Sequence, residues 1–428
     1  MKILVVTCSP WRDDYNIGNS YSNLFCNMQG VEFASVYLSS GTPQNNIVKR
    51  YFQMDEKGLI ANFINRQIPS GRELNLDIQA NSLSSKEINT FNKLRILRLR
   101  LFFWTREFIW KIARWKSPEL EEFIHDFQPD IIFAPLQDKM YLNDILVFIK
   151  KLTNKPMVTY AWDDVYSLKQ ISLSPLYWID RFMQRSKIRK TASLCEYLYV
   201  ISDFQKQEYE KLLDKECKLL YKGYNFNISE PMIKESIRPI KLLYTGNIAS
   251  GRWKSLAKIG KELRKINKGE IVAQLYIYSL SQTTQKIKKS LNIPGSVFFM
   301  GGVSSTDVNA LQNEADILVH VEPLNIQQML VSRLSFSTKL VDYFYKSKCI
   351  FAVGKKQSAS IDYLIKNDAA IVATDEATIT ERLENIVKNP SIISEYARKS
   401  WECGKRNHQI DIIQSGFYDD LNSLVKEM

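Results

Sequence analysis

The stretch Ile240-Lys-Leu-Leu-Tyr-Thr-Gly-Asn-Ile-Ala-Ser-Gly-Arg-Trp-Lys-Ser-Leu-Ala-Lys-Ile-Gly-Lys-Glu-Leu-Arg-Lys-Ile266 reads in three parts. Ile240–Thr245 is a short apolar run of the kind buried on both faces of a parallel sheet. Leu256, Ile259, Leu263 and Ile266 recur at helical spacing and form one apolar face. Between them Thr245–Lys254 is a loop with two glycines. Strand, loop and amphipathic helix together open a βαβ unit.

The same alternation continues on both sides. Downstream, strands are expected at Ile271–Tyr278, Val297–Met300, Ile317–Val321 and Cys349–Val353. Helical patterns fall at Ser305–Ala315, Thr338–Lys346, Thr378–Val387 and Ile410–Lys426. Upstream, strands are expected at Lys2–Cys8, Val31–Leu38, Ile131–Ala134, Met157–Tyr160 and Leu198–Ile201, with helical patterns at Pro118–Phe127, Leu142–Leu152 and Phe204–Leu213. Residues 41–92 are polar and irregular and receive no assignment. Tyr224–Pro239 holds two prolines and no apolar period, as a linker would. The expected architecture is α/β, with two Rossmann-like domains facing each other across a cleft. Their bounds are 1–223 and 240–405, joined by the linker 224–239 and followed by a C-terminal helix over 406–428 that can cross back to the first domain.

Composition narrows the class. The 428 residues are 45% hydrophobic and 24% charged, enough apolar material for two cores. No apolar run reaches the roughly 18–20 residues that span a bilayer. Lys2–Cys8 is too short for a signal peptide, so a cytoplasmic protein is expected. The six cysteines contain no C-x-x-C pair and read as reduced thiols. The three histidines, His125, His320 and His408, are far apart in sequence, which argues against a histidine zinc site. The net charge is +12, and nine basic residues against two acidic ones lie between Lys86 and Lys116. Those cations are interleaved with Leu94, Leu97, Leu101, Trp104, Phe108 and Trp115 near helical spacing. A basic, aromatic helix can lie on an anionic membrane surface. The same residues can instead pack as core with their charges in solvent, and nucleic acid is a weaker candidate partner.

In open α/β sheets, ligands bind at the carboxyl ends of the strands. In the loop 245–254, Gly246 lets the backbone approach a ligand, and Arg252 and Lys254 stand at a helix start, a combination that favours phosphate. An ordinary surface turn is the alternative. A second loop, Ser335-Phe-Ser-Thr-Lys339, opens another helix. Ser337 and Thr338 are good N-cap types, and with Lys339 they suit a diphosphate. Asp342, one turn on, suits the two hydroxyls of a ribose. The alternative is a capped helix with a surface ion pair.

The runs Ala315-Asp-Ile-Leu-Val-His-Val-Glu322, Ser335-Phe-Ser-Thr-Lys-Leu-Val-Asp-Tyr343 and Lys348-Cys-Ile-Phe-Ala352 resemble the C-terminal signature of GT-B-fold, family 4-like glycosyltransferases. The resemblance extends over about Leu198–Ala352. It implies sugar transfer from a nucleotide-sugar donor, without a bound metal or other cofactor and with anomeric retention in most members. It places Arg252 and Lys254 on the leaving diphosphate, Thr338 and Lys339 on its other side, Asp342 on the ribose and Gly302-Val303 at the base. Glu322 takes the place of the family's first glutamate, facing the donor sugar, although the family's Glu-x7-Glu spacing is not kept.

In the first half, Asn16-Ile-Gly-Asn19 resembles the family's acceptor-side turn before a helix over Ser20–Met28, which gives Gly18 and Asn19 an acceptor role. Asp163 and Asp164 end a strand where related enzymes carry His-Asp, so one of them is expected to take a proton from the acceptor hydroxyl or orient it. Helix capping is the alternative. Asp138 is a weaker candidate in a comparable loop, and His320 reads as a packed strand-end residue. The resemblance favours a lipid-linked glycan as acceptor, an anionic membrane over nucleic acid as the partner of 86–116, and a place on the inner face of the cell membrane. A GT-B-like nucleotide-sugar epimerase and a catalytically silent subunit that binds a partner enzyme are the competing readings.

Overall fold

A computed structural model describes residues 1–13, 16–74, 100–227 and 238–427. The first sheet contains β1 (Lys2–Thr7), β2 (Glu32–Tyr37), β3 (Arg50–Met54), β4 (Gly71–Leu74), β5 (Ile131–Pro135), β6 (Met157–Ala161), β7 (Leu198–Val200) and β8 (Cys217–Leu219). Its order is β4-β3-β2-β1-β5-β6-β7-β8, parallel apart from the β3–β4 pair. The second sheet contains β9 (Ile240–Thr245), β10 (Ala273–Tyr278), β11 (Val297–Gly301), β12 (Ile317–Val321), β13 (Cys349–Val353) and β14 (Ile371–Ala373). It is wholly parallel, in the order β11-β10-β9-β12-β13-β14. Strands β5, β6, β12 and β13 are buried along their whole length, as continuous apolar runs in a helix-covered parallel sheet should be.

Each sheet reverses direction beside its first strand, between β1 and β5 and between β9 and β12. Such switch points leave a crevice at the carboxyl ends of the strands. The second one sits between Thr245 and Glu322, the two positions that the sequence already marked.

The chain crosses between the domains twice, and the crossings lie side by side. Tyr224 N–H donates to the His408 carbonyl and Ile410 N–H donates to the Tyr224 carbonyl, both at 2.9 Å. One apolar cluster joins a face of each sheet through Tyr221, Phe226, Phe336, Tyr363 and Trp401, while separate cores cover the other faces. The last helix, Ile410–Lys426, lies against the first domain. Phe417 packs on Phe25, Phe133 and Tyr199 at 5.1–5.9 Å between ring centroids, and Asp420 pairs with Lys218 at 2.7 Å.

One expectation is corrected and two unassigned stretches are filled. The first helix is Asn16–Phe25 rather than Ser20–Met28, so Gly18 lies inside it. A Cβ there would fall 2.0 Å from the Arg12 carbonyl oxygen, which explains the glycine by packing. The described part of 41–92 contains β3, β4 and the helix Glu56–Ile64, whose N-cap Asp55 accepts from Gly58 N–H. A long helix, Pro175–Leu194, also escaped the periodicity reading, because its apolar Leu176, Ile179 and Phe182 face outward instead of into a core. Lys86–Arg98, part of the basic segment, and residues 228–237 of the linker lie outside the described residues. Among the described residues, no helix is long and apolar enough to cross a membrane.

Candidate active site

At the second switch point, β9 and β12 end around a cavity of about 150 Å³, lined among others by Tyr244, Asn247, Arg252, His320, Glu322 and Lys339. Alternation along β12 sends Ile317, Val319 and Val321 into the outer core and leaves His320 and Glu322 on the other face. Burial raises the pKa of the Glu322 carboxyl, and the Arg252 charge opposes that shift. Its Oε2 accepts from Arg252 Nη2 and from Ser332 Oγ, each at 3.2 Å.

Lys339 enters the cavity from the first turn of the helix Lys339–Tyr345. Its ammonium donates to the Thr245 carbonyl at 3.1 Å and lies 5.4 Å from the Tyr244 ring centroid. Burial first, and the Arg252 charge second, lower its pKa to about 8. Two cations held close in a partly dry pocket repel each other, and a ligand carrying negative charge relieves both. Gly246 makes the approach possible. Its φ is 145°, and a Cβ there would lie 2.1 Å from the Lys339 Nζ.

His320 was read from sequence as a packed strand-end residue. It is buried, but its Nε2 makes no hydrogen bond with described residues and stands 3.6 Å from Glu322 Oε1. Burial, and then the charges of Lys339 and Arg252, lower its pKa to about 3, so the ring is neutral and can donate to a ligand oxygen. The signal was present in the sequence: strand alternation puts His320 on the same face as Glu322.

Several placements differ from the sequence reading. The amides at the start of the helix Arg252–Ile266 do not cradle a ligand. Arg252, Trp253 and Lys254 N–H donate to the Ala249, Ile248 and Gly251 carbonyls, because Ser250 and Gly251, at φ 53° and 84°, fold the loop back on itself. Lys254 is exposed, with its ammonium 5.7 Å from the Trp253 ring, and does not line the cavity. Thr338 stands at an N-cap position but makes no capping bond, since its backbone is already helical. Ser337 lines the cavity, and its N–H donates to Ser360 Oγ at 3.0 Å. Asp342 pairs with Lys222 at 2.7 Å and so ties the second domain to the end of the first. Glu322 is turned onto Arg252 and holds that guanidinium in place.

A second hollow of about 370 Å³ adjoins the first at Asn247, with Gly246, Tyr278, Leu280 and Val303 among its walls. Gly302 stands beside it, where a Cβ would meet the exposed Leu280 side chain at 2.3 Å.

No family model matches the chain, and no curated protein is similar to it. Solved structures are. The chain superposes on Anabaena Alr3699/HepE in complex with UDP with a TM-score of 0.65 at 9% identity, over 99% of this chain and 100% of that one. Sucrose-phosphate synthase from Thermosynechococcus elongatus gives 0.63 at 10% identity, over 100% of both chains. WaaG, a glycosyltransferase involved in lipopolysaccharide biosynthesis, gives 0.56 at 10% identity, over 97% and 98%. The fold is GT-B.

Across the GT-B cleft the two aspartates separate. Asp164 is buried, and its carboxylate accepts from Tyr166 and Ser167 N–H and from Ser167 Oγ, with Arg181 at 3.6 Å. It builds the turn after β6. Asp163 is exposed, and its Oδ1 accepts from Ser335 Oγ of the second domain at 2.7 Å. Asp164→Asn is therefore expected to lower the melting temperature by several degrees, whereas Asp163→Asn leaves it within about a degree. Thermal melts on the two variants check this. Asn19 is exposed, and its side-chain amide donates to the Asp13 carbonyl. Asp138 forms an ion pair with Lys139 at 2.8 Å.

Proposed function

We propose that the chain is a glycosyltransferase that moves a sugar from a nucleoside diphosphate donor to a hydroxyl of a lipid-linked glycan, at the inner face of a membrane and with retention at the anomeric carbon. The observation that carries this reading is the meeting of Lys339, Arg252 and a neutral His320 in one small cavity at the switch point. Breaking a glycosyl–phosphate bond builds negative charge on the departing diphosphate. Fixed cations aimed there stabilise that charge more in the transition state than in the ground state. Arg252 and Lys339 supply two positive charges, so the reaction is proposed to run without a divalent ion. The larger hollow suits the base, and Asp163 suits the acceptor hydroxyl. Exposed Trp104, Phe108 and Ile112 on the helix Arg100–Ile112 support contact with a membrane surface. WaaG, among the similar folds, acts in lipopolysaccharide biosynthesis, and this supports a glycan-assembly role.

The test is a thermal-shift panel of UDP, GDP, ADP and CMP in buffer with EDTA. One nucleoside diphosphate at about a hundred times its Kd should stabilise the chain by about 2.7 kcal/mol, a shift of several degrees. If none of the four moves the melting temperature, the reading fails.

A further inference from the structure

An apolar cavity lies in the first domain, away from the donor site. It holds about 590 Å³, within the range of about 300–1,000 Å³ that takes small ligands. The helix Arg100–Ile112 forms one side, Pro175–Leu194 the opposite side and Met140–Thr153 the back. Trp104, Phe108, Trp110, Trp115, Phe148 and Met183 line it. Trp110 and Trp115 are buried, Trp110 stacking on Tyr141 at 4.8 Å. Phe108, Met183 and Trp104 are 59%, 48% and 40% exposed around the mouth, an unusual cost for a surface in water.

Charge selects the occupant. Lys111, Lys116, Lys151, Lys187 and Lys190 ring this cavity, against Glu107, Asp144 and Asp180. Asp144 is paired with Lys187 at 2.6 Å. Glu107 is turned inward, accepting Met140 and Tyr141 N–H at 3.0 and 3.2 Å, and burial pushes its carboxyl up to about 7. The net character is an apolar well with a cationic mouth. Its location matters as well. Arg106, on the same helix, donates to the Leu38 carbonyl just past β2, and the back helix begins just past β5. One end of the well, at Met140 and Tyr141, therefore meets the carboxyl edge of the sheet, the edge from which Asp163 projects after β6, while its other end, at Lys151 and Lys190, runs toward the starts of β6 and β7.

We propose that this well takes one hydrocarbon chain of the acceptor lipid, with the lipid's phosphate on the lysine ring. This rests on the sugar-transfer reading and adds to it a separate site for the lipid. A flat membrane-adsorbing face needs no deep cavity, and a protein partner does not call for a lysine ring around an aromatic well.

The experiment titrates the full chain with dodecyl phosphate below its critical micelle concentration. Saturable one-to-one binding is expected, at least tenfold weaker for dodecyl maltoside and not displaced by inorganic phosphate. Met183→Trp, which fills the mouth from an exposed position, and the pair Lys116→Glu with Lys190→Glu should each weaken dodecyl phosphate at least tenfold. Co-sedimentation of Met183→Trp with anionic vesicles should stay at the wild-type level. Equal affinity for all variants overturns the proposal, as does vesicle binding that falls in step with dodecyl phosphate binding. A dimer in sedimentation that Met183→Trp dissolves overturns it too, since a second copy would then fill the well. Nucleoside diphosphate binding measured on the same wild-type sample separates the two readings. If it is present while dodecyl phosphate fails to bind, only the lipid site falls. If it is absent, the donor assignment falls instead.

Discussion

Lys339→Ala is expected to weaken nucleoside diphosphate binding by roughly thirtyfold to several-hundredfold, about 2–4 kcal/mol, the usual cost of truncating one partner of a buried charge pair. The free chain should lose no stability. Burial holds the Lys339 pKa near 8, below its unfolded value, so the folded state carries the ammonium at a cost at every pH below about 8. That cost fades as pH rises from about 8 to the unfolded pKa, and the alanine variant never incurs it. The same depression sets the pH dependence of binding. In the free wild type the ammonium loses its proton as pH rises through about 8, while a bound diphosphate favours the charged form. Wild-type affinity should therefore fall above pH 8, by up to tenfold per pH unit. The variant should show no such fall, because the terminal phosphate, with a pKa near 6, has already titrated. Calorimetric titration at pH 7, 8 and 9 measures both effects, and a variant that binds like wild type at pH 7 removes Lys339 from the donor site.

Gly246→Ala should cost nearly as much binding through a residue that it does not replace. The new Cβ would fall 2.1 Å from the Lys339 Nζ and 3.4 Å from its Cε, and the nearest contact outside Lys339, Tyr244 Oη, is an ordinary 3.7 Å away. The ammonium is the end of a flexible side chain, so the clash is relieved by pushing Lys339 out of place. At φ 145° an alanine is also strained, for about 1–2 kcal/mol of folding stability. At least tenfold loss of diphosphate affinity is expected. Because the effect runs through Lys339, the double variant Gly246→Ala with Lys339→Ala should bind no worse than Lys339→Ala alone. Additive losses would show that Gly246 acts on the ligand independently.

Which parts of this were legible in the sequence follows from how local each signal is. Strands such as Ile240–Thr245, Ile317–Val321 and Cys349–Val353 are predominantly apolar runs, and the structure keeps their bounds. The loop after β9 was visible from its glycines, because a close approach to another group leaves a residue-type trace. The helix Pro175–Leu194 left none, since its outward apolar residues violate the pattern that periodicity detects. The phosphate-facing amides were inferred from a helix start, and the fold-back at Ser250 and Gly251, which uses those amides internally, has no comparable sequence mark. Asp163 and Asp164 are adjacent and chemically identical. Only the turn, with Arg181 arriving from a helix seventeen residues away, assigns Asp164 to structure and leaves Asp163 facing the cleft. The pairing of Glu322 with Arg252 spans seventy residues, a separation at which sequence spacing says nothing.

Lys339 and Arg252 are held to act on a single diphosphate, and comparing affinities for a nucleoside diphosphate and its monophosphate isolates that interaction. With the nucleoside that gives the largest thermal shift, the diphosphate should bind wild type at least tenfold more tightly than the monophosphate, and Lys339→Ala should erase most of that advantage. Equal affinities in the wild type, or an advantage that survives intact in Lys339→Ala, would mean that the diphosphate lies elsewhere.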